Sequence, residues 1–409
     1  MDKQPIPLNP AILRWAREEA GLSLDEAAER ARITPPRQKK GDVQRLSPAD
    51  RLRAWESGVE PPSLPQLEAV ATAYRRPLLT FFLPSPPTKH TSLADFRTVG
   101  SVPTRVDTPE FAAFKRRLEA LHGELIELLS MEGQQPLSFV GSVANTMPPS
   151  QLVQSIRSTL SFHFKEQQSL RDGDQFLKVL REKAQSVGIF VLFEGDLGSY
   201  HSKIMPDEFR GIAFADRIAP LIVVNPNDAR AARLFTFVHE IAHIWIGASG
   251  VSNLDALGNP GTTYANRNNE RLCNMVAAEF LVPESLLSSA WAQASDGETV
   301  KRVEELSRTF KVSREVIARR LFDQRHISEI DYRSLIAIYR AAWQQNVQRQ
   351  KETDSGPNKN IMDKFRLGDR LLRIVTCAAF DGKITMQSAA RILRVPASRF
   401  DKVLYATRS

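Results

Sequence analysis

Apolar residues recur at helical spacing in the first part of the chain, where they predict four short helices. Apolar positions three or four residues apart are bounded there by residues that start or stop helices. Ser23 and Ser63 stand where N-caps belong, and Gly21 and Gly58 stand where helices should end. The predicted helices are Ala11 to Ala20, Leu24 to Ala31, Ala49 to Glu56 and Leu64 to Tyr74.

The middle of the chain changes from a helical pattern to a strand pattern and back. Residues 151–186 have helical spacing, and short β-branched or aromatic runs follow. The predicted strands are Gly188 to Phe193, Gly211 to Phe214 and Leu221 to Asn225, and the helices after them are Ala229 to Ile246 and Asn268 to Leu281. Beyond Glu284 the pattern is almost wholly helical. This order predicts an α+β, mostly helical fold with a small sheet.

Composition narrows the class of protein. A chain of 409 residues with 42% apolar and 25% charged residues is an ordinary globular chain of two to four domains. Two cysteines, Cys273 and Cys377, are too few for a disulfide framework, and the N-terminus carries no signal-peptide pattern, so we expect a reducing cytoplasm. No segment approaches the length of a membrane span, since Leu78 to Leu83 is short and bounded by Pro77 and Pro84. The net charge of +8 is compatible with DNA as a partner.

The predicted helix Ala229 to Ile246 carries a motif with metal-binding spacing. His239 and His243 are four residues apart, so both imidazoles lie on one helix face and can reach one zinc ion. Glu240 follows the first histidine directly, where its carboxylate can act as a general base on water without binding the metal. The alternative is a buried structural pair of histidines.

The next predicted helix offers the remaining residues of a zinc site. Glu270 is our candidate for the third ligand, and Glu279 on the same helix is the alternative. Asn274, four residues after Glu270, is placed to hydrogen-bond a ligand histidine. We expect Cys273 to be a small core residue rather than a ligand.

These residues resemble the ImmA/IrrE family of metallo-endopeptidases, in the version with a Cro/repressor-type (XRE) helix-turn-helix before the peptidase. The segments that carry the resemblance are Phe237-Val-His-Glu-Ile-Ala-His243, Asn269-Glu-Arg-Leu-Cys-Asn274, Ala277-Ala-Glu-Phe-Leu-Val-Pro283, Arg53-Ala-Trp-Glu-Ser-Gly58, Pro77 to Pro84 and Ala94-Asp-Phe-Arg-Thr98. The resemblance implies zinc ligation by His239, His243 and Glu270, with Glu240 as the base. Family members cleave or inactivate a helix-turn-helix repressor, and others are encoded beside PIN-domain-like toxins and look like antitoxins.

The N-terminal segment departs from the repressor pattern. Ile33 to Leu46 is inserted before the third helix, which is the candidate recognition helix. From Arg30 to Arg53 there are eight basic residues against two acidic ones. Arg51 and Arg53 are our candidates for contacts with DNA phosphates or bases. The alternative is an interaction module whose arginines stay solvated.

Three further features leave alternatives open. Tyr264 and Arg267 can polarise the scissile carbonyl or make ordinary loop contacts. The strands Gly211 to Phe214 and Leu221 to Val224 can be a sheet edge that pairs with an extended substrate, or central strands. Two helical hairpins resemble DNA-binding motifs but are also common in helical tails. They are Val300 to Leu321 and Ser388 to Leu404.

We therefore predict a zinc-dependent endopeptidase coupled to a DNA-binding domain, which cleaves or inactivates a partner regulatory protein. The alternative is an antitoxin and transcriptional regulator that neutralises a PIN-domain-like toxin with little or no proteolysis. The predicted domains are a helix-turn-helix domain (1–83), a connector with a helical segment (84–150), a zincin-like metallopeptidase domain (151–290) and a helical C-terminal region (291–409).

Overall fold

The computed structural model divides the chain into two compact units. It describes residues 8–35, 47–86, 94–95, 107–143, 147–199, 202–252, 264–293, 298–350, 359–396 and 398–400. The N-terminal unit comprises residues 1–92, 103–120 and 196–204, and the sheet unit comprises residues 93–102, 121–195 and 205–409. The long helix α5 (Pro109–Met131) contributes to both units, because its sequence crosses residue 120.

The N-terminal unit is helical in its described residues. Its elements are α1 (Pro10–Glu19), α2 (Leu24–Arg30), α3 (Pro48–Glu56), α4 (Leu64–Ala73) and a 3₁₀ turn, Leu78–Phe82. The four predicted helices are confirmed, each to within one residue at either end. Fully buried side chains form one core. The largest of them are Trp55, Tyr74 and Phe81.

Local signals set the ends of these helices as predicted. The Ser23 hydroxyl accepts the backbone N–H of Glu26 at 3.2 Å, and the Glu26 carboxylate accepts the backbone N–H of Ser23 at 2.9 Å. Ser63 is the N-cap of α4. Gly21 and Gly58 have φ values of 66° and 76°, a left-handed conformation that glycine adopts without strain. Most of the predicted insertion before α3, residues 36–46, lies outside the described residues.

The sheet unit is built on a small mixed sheet. Its strands are β1 (Ala94–Asp95), β2 (Phe190–Phe193), β3 (Gly211–Phe214), β4 (Leu221–Val224) and β5 (Gly250–Ser252). The strand order is β1-β5-β3-β4-β2. β3 pairs antiparallel with both β4 and β5, whereas β2 pairs parallel with β4 and β1 pairs parallel with β5.

The strand order shows whether β3 and β4 are edge or central strands, which the sequence left open. β3 and β4 are both interior strands of the described sheet, so of the two alternatives the structure supports central strands and not an edge for substrate pairing. Both are buried along their whole length, which agrees with the continuous apolar runs from which they were predicted. β5, with three residues, was not predicted.

The sheet unit also contains helices, and they confirm the mostly helical character of the chain. They are α6 (Pro149–Thr159), α7 (Phe164–Ser169), α8 (Gly173–Ser186), α9 (Arg230–Ile246), α10 (Tyr264–Leu281), α11 (Glu284–Gln293), α12 (Thr299–Phe310), α13 (Arg314–Asp323), α14 (Glu329–Gln350), α15 (Lys359–Leu367), α16 (Asp369–Phe380) and α17 (Met386–Leu393). α10 begins four residues before the predicted start at Asn268. α9 contacts β3, β4 and α10. Among the described residues, no helix combines the length and apolarity that a membrane crossing requires.

The C-terminal half of the sheet unit contains the first of the two predicted hairpins and the first helix of the second. α12 and α13 form the first hairpin, with Lys311 in the left-handed conformation at the end of α12 and Ser313 capping α13. The second begins with α17, and its continuation at residues 397 and 401–409 lies outside the described residues. Buried Glu194, just after β2, pairs with Arg366 and Arg394 and so ties α15 and the end of α17 to the sheet.

Candidate metal centre

Helix α9 carries both histidines of the motif on its buried face. His239 and His243 are one helical turn apart, and both are almost completely buried. The helix ends at Ile246, and its C-cap Gly247, with a φ of 73°, allows the chain to turn one helical turn after the second histidine. Two polar side chains are thus buried side by side on an apolar helix, and buried polar groups require hydrogen-bond or metal partners.

Helix α10 brings a carboxylate to the same point. Glu270 Oε1 lies 2.9 Å from His243 Nε2, and Glu270 Oε2 lies 3.3 Å from His239 Nε2. The two Nε2 atoms are 3.0 Å apart. His239, His243 and Glu270 form the one group of three or more potential metal ligands found among the described residues.

These distances fit a metal ion. A tetrahedral zinc site with bonds of about 2.1 Å has ligand atoms about 3.4 Å apart, close to the separations of 2.9 to 3.3 Å in this cluster. Two neutral nitrogen donors and one carboxylate oxygen are ligand types that zinc accepts. The donor set and its geometry therefore suit a zinc ion with three protein ligands.

Asn274 fixes the tautomer of one histidine. Its side-chain oxygen lies 3.0 Å from His239 Nδ1. Because a carbonyl oxygen only accepts hydrogen bonds, Nδ1 carries the proton, and the lone pair of the neutral ring is on Nε2, which faces the cluster. Asn274 thus lies within hydrogen-bond distance of one histidine of the motif.

The pKa values of the two glutamates of the site are shifted in opposite directions. Burial raises the pKa of Glu270, but the two nearby imidazoles outweigh burial and lower its pKa to about 2. Burial lowers the pKa of His239, but the charge and hydrogen bond of Glu270, the charge of Glu240 and the hydrogen bond of Asn274 together outweigh burial, and the pKa is raised overall. Glu240 is 0% exposed and stands outside the three-residue cluster, and burial raises its pKa above the ordinary value. Glu270 is therefore the ionised ligand, and Glu240 has the stronger affinity for a proton.

The alternatives for the third ligand lie elsewhere. Glu279 accepts a hydrogen bond from Arg320 at 2.5 Å and one from the backbone N–H of Glu284 at 3.2 Å, so it links α10 to α13 and α11. Cys273 is fully buried, and burial raises the pKa of its thiol well above the usual range. Cys273 therefore lies in the core as a neutral thiol, the position expected of a small core residue.

Two residues near the site were missed by sequence reasoning. Ser252, in β5, is fully buried, and its hydroxyl lies 3.4 Å from His243 Nε2. Gly211, in β3, pairs with Ser252 and lies against the Glu240 side chain. A three-residue strand without periodicity and a single glycine give no signal that predicts these contacts. Tyr264 and Arg267 lie in the first turn of α10, and their side chains are outside the described part of the structure.

The candidate DNA-binding arginines differ in their surroundings. The Arg51 side chain is 18% exposed, donates to the backbone and hydroxyl oxygens of Thr34 at 3.2 Å, and pairs with Glu60 at 3.3 Å. The Arg53 side chain is 62% exposed and pairs with Asp50 at 2.6 Å. Arg53 therefore faces solvent on α3, whereas Arg51 is held against its own unit.

Comparison with known proteins supports the resemblance over part of the chain. Neither the curated proteins nor the solved structures gave a significant match. Residues 184–322, about a third of the chain, match the family model Peptidase_M78, described as the IrrE N-terminal-like domain. This stretch runs from the end of α8 to the last turn of α13 and contains the whole candidate cluster, but it does not include helices α1 to α4. Over residues 184–322 the chain is thus similar to the ImmA/IrrE metallopeptidase family.

Proposed function

We propose that the sheet unit is a zinc-dependent endopeptidase. The observation that carries the proposal is the convergence of His239 Nε2, His243 Nε2 and the Glu270 carboxylate within 2.9 to 3.3 Å of one another, with Glu240 beside them on α9. The match to a metallopeptidase family over the same residues supports it.

Each residue of the site has a separate role in the proposed hydrolysis. When bound, zinc supplies Lewis acidity, which polarises a peptide carbonyl and makes water a stronger acid near neutral pH. Glu240 accepts the proton of the attacking water and later passes it to the leaving amine, a role that its raised pKa favours. Asn274 holds His239 in the tautomer that presents Nε2 to the metal.

We further propose that the substrate is a partner regulatory protein, such as a helix-turn-helix repressor, and that the N-terminal unit binds DNA. Exposed Arg53 on α3 supports DNA binding, as does the basic balance of the chain. Co-expression with the products of neighbouring genes, followed by mass spectrometry for new protein termini, tests this proposal. Termini that appear with the parent and disappear with Glu240→Gln support proteolysis of the partner. A neighbouring repressor that stays intact with both proteins argues against it.

One observation favours a second function. His239, Glu240 and His243 are at most 1% exposed, so these three side chains present almost no surface to a peptide. A closed site suits a protein that acts by binding, as an antitoxin does on a PIN-domain-like toxin. In that case Glu240→Gln still neutralises the toxin. If toxin neutralisation is instead lost with Glu240→Gln, the binding function is excluded.

A further inference from the structure

Gly211 occupies a position in β3 where a side chain has no room. A Cβ atom added there would lie 2.1 Å from Glu240 Oε1, 2.6 Å from its Cδ and 2.7 Å from its Cγ. All three distances are below the contact distance of about 3.5 Å between unbonded heavy atoms. The three nearest neighbours of the missing Cβ all belong to Glu240, so the gap at Gly211 is filled by this one side chain.

The backbone of β3 does not itself require glycine at this position. Gly211 is paired on both sides, with Val224 of β4 and Ser252 of β5, and it is not among the residues with positive φ. Glycine weakens the interior of a strand, and in such places it commonly marks a close approach by another group. Here that group is the carboxylate of Glu240.

The gap also lies beside the metal cluster. Ser252 is the register partner of Gly211, and its hydroxyl is 3.4 Å from His243 Nε2. Glu240 is completely buried, so its carboxylate is enclosed by protein atoms and not by solvent. The Gly211 gap therefore fixes where the carboxylate stands relative to the ligands.

We infer that Gly211 is a positioning residue for Glu240: the missing side chain in β3 admits the carboxylate and holds it where it serves as general base. The catalytic part of this inference rests on the proposed peptidase function, whereas the packing part does not. A methyl group at position 211 displaces the Glu240 carboxylate, the strand, or both. The three atoms nearest to that methyl group all belong to Glu240 and not to a ligand, so zinc should remain bound.

A double-mutant cycle tests the packing part on the full chain. Gly211→Ala should lower the midpoint of thermal unfolding by roughly 2 to 8 °C, the usual effect of overpacking a core. In a Glu240→Ala background the same substitution should lower it much less, because the three clashing atoms are gone. Gly123→Ala in α5 is the matched control, since a Cβ there meets nothing within 4 Å, and its midpoint should not fall. Equal shifts for Gly211→Ala in both backgrounds overturn the inference.

Kinetics test the catalytic part. For a peptide that the parent cleaves, Gly211→Ala should lower kcat by about 10²-fold or more with zinc content and KM unchanged, because the base is misplaced but the substrate still binds. An unchanged kcat overturns the positioning role. If the peptidase proposal itself fails, the parent cleaves no peptide, yet the unfolding cycle still shows whether Gly211 and Glu240 are coupled.

Discussion

Replacing Glu270 with glutamine should weaken zinc binding by about two orders of magnitude. The substitution keeps the shape of the side chain but removes the one negative charge among the three ligands. Structural zinc sites with four ligands bind with about 10 to 16 kcal/mol, so one ligand contributes about 3 kcal/mol, which is about 10²-fold in the dissociation constant. Glu270 approaches both imidazoles within 2.9 to 3.3 Å, so it should contribute a full ligand's share.

Competition with a chromophoric chelator at pH 7.5 measures this affinity. Glu279→Gln is the matched control, because it makes the same chemical change on the same helix but removes a partner of Arg320 instead of a ligand. Glu279→Gln should bind zinc as the parent does, with a modest loss of stability. Parental zinc affinity in Glu270→Gln, or a large loss in Glu279→Gln, would refute the assignment of the third ligand.

Three further predictions concern the surroundings of the site and the N-terminal unit. Asn274→Ala should weaken zinc binding by about 10- to 100-fold, as loss of a hydrogen bond to a ligand histidine usually does; an unchanged chelator competition contradicts this. Zinc affinity should fall as pH decreases, because protons compete with zinc for the imidazoles. The raised pKa of His239 means that this competition begins above pH 6.5, the ordinary pKa of histidine. Zinc titrations at pH 8, 7, 6 and 5 measure the change, and an affinity that stays constant contradicts the prediction. Arg53→Ala should weaken DNA binding by the full chain and reduce its salt dependence by about one phosphate contact, whereas Arg51→Ala should mainly lower stability, since Arg51 bonds to Thr34. Fluorescence anisotropy at several salt concentrations distinguishes the two variants. Equal DNA affinity for Arg53→Ala and the parent contradicts the proposal.

The residues of the cluster were accessible to sequence reasoning because they lie on helices. At about 100° per residue, four positions bring a side chain back to nearly the same face, which places His243 with His239 and Asn274 with Glu270. The nine positions from Glu270 to Glu279 rotate the side chain by about half a turn, so the two glutamates face opposite sides of α10. If Asn274 faces the zinc site, helical geometry therefore favours Glu270 over Glu279 as the third ligand.

The contacts between residues on different strands of the sheet could not be predicted from the sequence. Gly211 and Ser252 meet only because β3 and β5, which are 36 positions apart in the chain, pair in one register. A strand run in the sequence indicates burial but not its neighbours, so interior and edge positions remained equally compatible with β3 and β4 until the strand order was known. Arg51 shows the same limit in the N-terminal unit, since its bonds to Thr34 and Glu60 depend on tertiary packing.

The most direct test of the peptidase proposal compares the parent with Glu240→Gln after both are loaded with zinc. Each protein is incubated with a peptide library and with any partner identified by co-expression, and new termini are counted by mass spectrometry. Glu240 lies outside the ligand cluster, so the variant should hold as much zinc as the parent. Cleavage should fall by about 10² to 10⁴-fold, the usual contribution of a general base. A Glu240→Gln protein that holds zinc and cleaves at the parental rate would contradict the account.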